Sequence, residues 1–207
     1  MSQEFNFKAC KISLNRAQMF IFENLTLELS AGEVLLIEGA NGSGKTSLLK
    51  ILAGLMTATS GVIYWQGKII EEGVENYRDN FHYIGHHLGI KTDLTVEENL
   101  TLFAKLAGKK YHPACLTVMH LNHKQHCLAR FLSAGEKRKI ALAKLIMIPK
   151  RLWILDEPLT ALDHATQTLF ITLLRQHIHQ GGMAILSSHQ KISLLDLPCS
   201  TIKLSPC

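Results

Sequence analysis

The stretch Gly39-Ala40-Asn41-Gly42-Ser43-Gly44-Lys45-Thr46 constrains this chain more than any other. It follows the apolar run Val34 to Ile37 and opens a segment of helical character, Thr46 to Leu55. Glycines at these places, then Lys and Thr, between a strand and a helix make a phosphate-binding loop. The small residues let successive backbone N–H groups curl around phosphate oxygens, and the helix N-terminus adds positive potential. Gly39, Ala40, Asn41, Gly42, Ser43 and Gly44 are therefore expected to cradle a polyphosphate. Lys45 is expected to reach its β- and γ-phosphates, and Thr46 to hold Mg2+.

Such a loop implies partners further along the chain. Leu152-Trp153-Ile154-Leu155-Asp156-Glu157 reads as a buried strand ending in two acids. An acid at the carboxyl end of a strand beside a phosphate loop is placed to hold Mg2+, which is the role expected of Asp156. Glu157, next in line, can orient or deprotonate an attacking water. Without the upstream loop the same two acids would equally well read as an ordinary solvated turn before Pro158. His189 follows the apolar run from Met183 and could contact a γ-phosphate, although a single histidine among eleven is more often a plain surface or packed residue. Leu132-Ser133-Ala134-Gly135-Glu136 leads into a helix that begins with Lys137, Arg138 and Lys139. Ser133 and Glu136 fit a capping box, and a capped helix start with small residues is also an anion site.

Apolar, β-branched runs at Val34 to Ile37, Val62 to Trp65, Leu152 to Leu155 and Ala184 to Leu186 are expected strands, buried on both faces as in a parallel α/β sheet. Thr46 to Leu55, Val96 to Leu106, Glu136 to Ile148 and Ala165 to Gln180 are expected helices. The middle, about 87–147, contains no convincing strand and reads as a helical insertion. The 207 residues suit a single domain over 1–207 carrying that insertion, and an apolar fraction of 47% suffices for a core. No run of about 18 apolar residues is present, so no membrane-spanning helix is expected. The start Met1-Ser2-Gln3-Glu4-Phe5 lacks a secretory pattern, which points to the cytoplasm. Five scattered cysteines without a CxxC pair argue against a disulfide framework there. A net charge of +5 is too mild to select a lipid surface or nucleic acid.

In order, these pieces resemble the nucleotide-binding subunits of ABC transporters, over nearly the whole chain from Phe7 to Ile202. Leu132 to Glu136 looks like that family's signature motif, Thr160-Ala161-Leu162-Asp163 like its D-loop, and His189 like its switch histidine. The resemblance implies a P-loop NTPase core of the ABC ATPase type with a helical subdomain, which binds ATP and Mg2+ and hydrolyses ATP. It also implies that Ser133, Gly135 and Asp163 contact nucleotide, the signature loop at Ser133 reaching that of a second copy in a dimer that sandwiches ATP. Ala134 and Glu136 stand where Gly and Gln are commonest; Ser133 and the Gly135 amide are kept. His86 stands at the Q-loop, where the family usually has Gln contacting the Mg2+ water shell and the membrane partner. The family's adenine-stacking aromatic is replaced by Arg16, a guanidinium that can also stack, or its place is taken by the neighbouring Phe20.

Within the family, Glu38 to Gly42, Tyr83 to Lys91 and Gln180 to Ala184 look like the ATP-binding subunit of the bacterial cytochrome c maturation system, often called the haem exporter ATPase. His in place of the Q-loop Gln matches that subgroup. The resemblance implies a peripheral protein on the cytoplasmic face of the bacterial inner membrane, docked on an integral membrane permease subunit and binding no nucleic acid. Its work would be haem export or release of a haem-loaded chaperone. A soluble ABC ATPase of an assembly system, such as an iron–sulfur scaffold, is the alternative. DNA repair or translation work would need long coiled coils or tandem ATPase domains.

His112, Cys115, His120, His123, His126 and Cys127 invite a metal or haem reading. The spacing His120-x-x-His123-x-x-His126 turns around a helix rather than staying on one face, and strict zinc spacing is missing. A polar surface is the expected outcome. The segment His86 to Leu94 mixes apolar residues with a flexible Gly89 and few charges, which suits a docking loop.

Overall fold

The computed structural model describes residues 6–16, 19–70, 75–189, 194 and 196–205. In chain order its elements are β1 (Asn6–Arg16), β2 (Met19–Ser30), β3 (Val34–Gly39), α1 (Lys45–Leu52), β4 (Ser60–Trp65), β5 (Lys68–Ile69), α2 (Glu75–Asn80) and β6 (Phe81–Ile84). There follow α3 (Val96–Leu106), α4 (Ala114–Val118), α5 (Ala134–Met147), β7 (Leu152–Asp156), α6 (His164–His179), β8 (Met183–Ser188) and β9 (Cys199–Leu204). The chain divides into two compact units, one of residues 1–83, 151–157 and 174–207, the other of 84–150 and 158–173.

The first unit is built on a five-stranded sheet in the order β6-β7-β8-β3-β9. β3 is parallel to β8 and β9, and β7 is parallel to β8. β7 and β8 are buried along their whole length, as continuous apolar runs in a parallel sheet must be. Because the strands run the same way, β3, β7 and β8 deliver Gly39, Asp156 and Ser188 at one edge of the sheet.

A second, four-stranded sheet has the order β2-β1-β4-β5, with β1 antiparallel to both β2 and β4. The run Val62 to Trp65 therefore lies in this antiparallel sheet, and the expectation of a strand buried on both faces is corrected: Val62 is exposed while Trp65 is buried. Short β-branched runs carry no sign of which sheet they join. β1 is hidden in the sequence for a related reason. Its buried side chains Phe7, Ala9, Ile12 and Leu14 keep period two only until a bulge near Lys11, whose φ is 52°, shifts the alternation.

One core serves both sheets and α1. Tyr77 of α2 lies at its centre, 1% exposed, with ring centroids 4.6 Å from Phe81, 5.5 Å from Trp65 and 6.1 Å from Phe7. Its hydroxyl donates to the Leu52 carbonyl at 2.6 Å, closing the end of α1. Burial pushes that phenol well above its usual range.

The second unit carries α3, α4 and α5. Both α3 and α5 open on capping boxes, Thr95 with Glu98 and Ser133 with Glu136, in which each side chain satisfies the other residue's backbone N–H. The Lys144 ammonium of α5 lies 4.6 Å from the centroid of the Phe103 ring of α3. Among the described residues, no helix is long and apolar enough to cross a membrane.

Tyr77→Phe should strand the Leu52 carbonyl and lower stability by about 1–3 kcal/mol. Tyr77→Ala should cost about 3–5 kcal/mol by opening a cavity. Urea unfolding of both variants against the parent measures the difference.

Candidate functional site

The loop Gly39 to Gly44 leaves the carboxyl end of β3 and enters α1. Gly44 caps α1 with a φ of 92°, in the left-handed region that favours glycine, and a Cβ there would collide with Ile21. The motif's last glycine is thus required both by backbone and by space. Lys45 is 6% exposed and its ammonium donates to the carbonyls of Gly39 at 2.7 Å and Ala40 at 3.0 Å.

Asp156 is the hub of the site. It ends β7 and is 3% exposed. Thr46 Oγ1 donates to its Oδ2 at 2.7 Å, and Ser187 Oγ donates to its Oδ1 at 2.6 Å. The β7–β8 register sets Ser187 directly opposite Asp156. Ser187 Oγ also accepts from the Glu157 N–H at 2.9 Å. Glu157 has a φ of 48°, an uncommon and mildly strained conformation for a residue with a side chain. Its carboxylate lies 3.9 Å from Lys45 Nζ through Oε1 and 2.9 Å from His189 Nδ1 through Oε2. The structure thus brings together Lys45, Thr46, Asp156, Glu157 and His189, five residues singled out from sequence.

A cavity of about 300 Å³ opens over Lys45, Thr46 and Glu157, lined also by Arg16, Ile21, Asn41 and Gly42 among others. Of the two residues considered for the adenine, Arg16 lines this cavity and Phe20 does not. The donor set of the Thr46 hydroxyl and the Asp156 carboxylate is hard oxygen, joined in one hydrogen bond, and fits Mg2+.

In the second unit Ser133 is the N-cap of α5, its Oγ accepting from the Glu136 N–H at 3.1 Å. Gly135 packs so closely on the chain's own Thr160 to Asp163 segment that a Cβ would stand 2.5 Å from the Ala161 carbonyl oxygen. Ala161 itself has a φ of 63°. Asp163 caps α6: its Oδ1 accepts from the Thr166 N–H at 2.8 Å, and its Oδ2 lies 3.2 Å from Lys139 Nζ of α5. Thr166, with Lys139 beside it, holds this carboxyl down at about 2. The Asp163 carboxylate is therefore engaged within its own unit.

His86 and His87 are exposed, their rings edge to face at 5.6 Å. Past them the chain is anchored by Asn99, fully buried. Its side chain accepts from Lys91 N and donates to the carbonyls of Lys91, Leu94 and Thr95. In the His/Cys-rich stretch His126 pairs with Glu97 at 3.5 Å, and no group of three or more His, Cys, Asp or Glu side chains is placed to hold a metal among the described residues.

The family profile for "ABC transporter" matches residues 22–160. The chain belongs to the ABC transporter family. It is 39% identical over 199 residues to the cytochrome c biogenesis ATP-binding export protein CcmA 2 of Cupriavidus metallidurans, an alignment covering 92% of this chain and 94% of that protein. Among solved structures it superposes on an ATP-binding subunit of an ABC transporter with a TM-score of 0.86 and 25% identity, over 97% of this chain and 87% of that one. It also shares its fold with an ATP-binding cassette solved as a dimer in a post-hydrolysis state with ADP and phosphate. There the TM-score is 0.77 at 20% identity, over 89% and 88% of the two chains.

Around the site of this ABC transporter ATPase lie residues that motif reading missed. Ser187 was concealed in an apolar strand, and only strand register reveals its partner. Tyr83, at the end of β6, has a buried hydroxyl without a hydrogen-bond partner among the described residues. Burial, with the Asp156 carboxylate adding, pushes it up to about 12. Asn99 is a polar residue on the face of α3 that carries the apolar Val96, Leu100 and Ala104, the one signal that could have found it.

Ser187→Ala removes a donor to Asp156 and an acceptor for the Glu157 amide at once. The expected result is an ATPase turnover lower by about tenfold or more, with a several-fold rise in the Mg2+ needed for half-maximal rate. Nucleotide affinity measured in EDTA should move less than twofold, since Lys45 and the loop amides are untouched. Steady-state kinetics and a nucleotide titration check both.

Proposed function

We infer that this chain is the ATP-binding and ATP-hydrolysing subunit of an ABC transporter complex that serves cytochrome c biogenesis. The observation that carries the enzymatic part is the meeting of Lys45, Thr46, Asp156, Glu157 and His189 at the carboxyl ends of β3, β7 and β8. The biological part rests on likeness to relatives named as cytochrome c biogenesis ATP-binding export proteins. Those names favour this reading over the soluble assembly ATPase.

In this reading the loop from Gly39 to Gly44 holds the phosphates by its amides, with Lys45 on the β- and γ-phosphates. Thr46 and Asp156 would hold Mg2+, which supplies charge neutralisation on the phosphate oxygens when bound. Glu157 orients the attacking water and accepts its proton, while His189, bonded to Glu157, faces the γ-phosphate. Ser133 and Gly135 serve the nucleotide of a second copy, so that two ATP molecules lie across a two-fold dimer. Asp163, held on Lys139, sets the position of the loop beside Gly135. His86 and the segment to Leu94 face an integral membrane permease subunit, with the chain held as a peripheral protein on the cytoplasmic face of the inner membrane.

Glu157→Gln should bind ATP yet lose turnover by about a hundredfold or more, and should form an ATP-dependent dimer in light scattering. Lys45→Ala should weaken nucleotide binding itself. Near-normal hydrolysis by Glu157→Gln would remove the water-orienting role.

Docking is tested in cells. Leu88 and Ile90 are half-buried and flank Gly89, whose φ is 69°. The double variant Leu88→Asp/Ile90→Asp should keep its ATP affinity but lose permease co-purification and haem-stained c-type cytochromes. A deletion strain with normal cytochromes would overturn the assignment to cytochrome c biogenesis.

A further inference from the structure

Glu136 places a negative charge at the helix end that, in the proposed dimer, receives a phosphate. The N-terminus of α5 is receptive to anions through its free N–H groups and its dipole. A carboxylate fixed there opposes an incoming phosphate at short range. The capping box fixes it: Glu136 Oε2 accepts from the Ser133 N–H at 2.8 Å, which turns the carboxylate back over the first turn beside Gly135. The same bonds to Ser133 hold the Glu136 carboxyl below the usual carboxylate range, so it is ionised at neutral pH.

The other oxygen is met by a cation from outside the motif. Glu136 Oε1 lies 3.8 Å from Lys124 Nζ, with the two side chains 25% and 36% exposed. Lys124 projects from the short turn Asn122–Lys124, whose backbone is closed by its own N–H on the Leu121 carbonyl at 2.9 Å. Leu121 is buried, so the lysine stands on a fixed base. Lys139, a turn further along α5, is engaged on Asp163. As a surface pair, Lys124 and Glu136 add little to stability. Their consequence is electrostatic and local, and it matters when a third charge approaches.

We propose that Lys124 is a positioning residue for the terminal phosphate of the partner copy's ATP: by neutralising Glu136 it keeps the N-terminus of α5 receptive to an anion. This rests on the reading that α5 closes on the nucleotide of a second copy. Lys124 accordingly acts on dimer closure and leaves folding and the chain's own nucleotide binding alone.

The test uses the full chain with Glu157→Gln as parent, reading ATP-dependent dimerisation by light scattering across an ATP titration. Adding Lys124→Gln should raise the ATP needed for half-dimerisation about fivefold, the upper scale of one surface charge at a helix end. Lys124→Arg should stay within about twofold of the parent, and Lys124→Gln/Glu136→Gln should return to that range, because the offending charge is gone. Thermal midpoints and the affinity of the monomer for a fluorescent ATP analogue should match between parent and Lys124→Gln. A Lys124→Gln variant that dimerises like its parent overturns the proposal, as does a double variant no better than Lys124→Gln. A parent that forms no dimer with ATP overturns the two-copy reading and this assignment with it.

Discussion

A buried carboxylate between two hydroxyls organises this protein. Asp156 is almost wholly out of water, and an ionised carboxylate in that position is costly unless hydrogen-bonded. Thr46 from α1 and Ser187 from β8 supply the donors. Each bond ties a different element, α1 or β8, to the end of β7, so both contribute to stabilising the site's charge. Ser187 then passes the constraint on. It accepts the Glu157 amide, and Glu157, in its left-handed conformation, sets its carboxylate 3.9 Å from Lys45 Nζ and 2.9 Å from His189 Nδ1. One serine thus bonds both to the residue expected to hold the metal and to the residue expected to handle the water.

Lys45 illustrates how the fold prepares such a site. A lysine side chain loses about 2 kcal/mol of rotamer freedom when fixed. Here its ammonium is already buried and bonded to two carbonyls of the loop it serves. Folding, rather than phosphate binding, bears that entropic cost. The same economy appears in the second unit, where Asn99 ties Lys91, Leu94 and Thr95 into one conformation beside the exposed His86 and His87. The segment that follows the exposed histidines is held by a buried amide.

The start of α5 joins two segments that sequence motifs treat separately. Gly135 has no room for a side chain because the Ala161 carbonyl stands against it, and Lys139 reaches Asp163. Any displacement of the loop at Thr160 to Asp163 must therefore move the first turn of α5, or break a backbone contact and an ion pair. The capping box at Ser133 and Glu136 stiffens that turn further.

How much of this was legible in the chain differs by the range of the interaction. The phosphate loop, the acids at Asp156 and Glu157, the α5 capping box and the spans of α3, α5 and α6 are local patterns, each decided by a few consecutive residues and by helix or strand period. Sequence alone determined them. The side to which a strand belongs is not local: Val62 to Trp65 looked like a buried parallel strand and pairs antiparallel with β1, and β1 itself was masked by the bulge at Lys11. Ser187 opposite Asp156, Arg16 over the phosphate loop, Lys124 against Glu136 and Gly135 against Ala161 join residues far apart in the chain. Register and packing set such contacts, through hydrogen bonds and excluded volume between elements. They exist only once the tertiary structure has closed, which is why the sequence named the reacting groups and the fold decided what holds them in place.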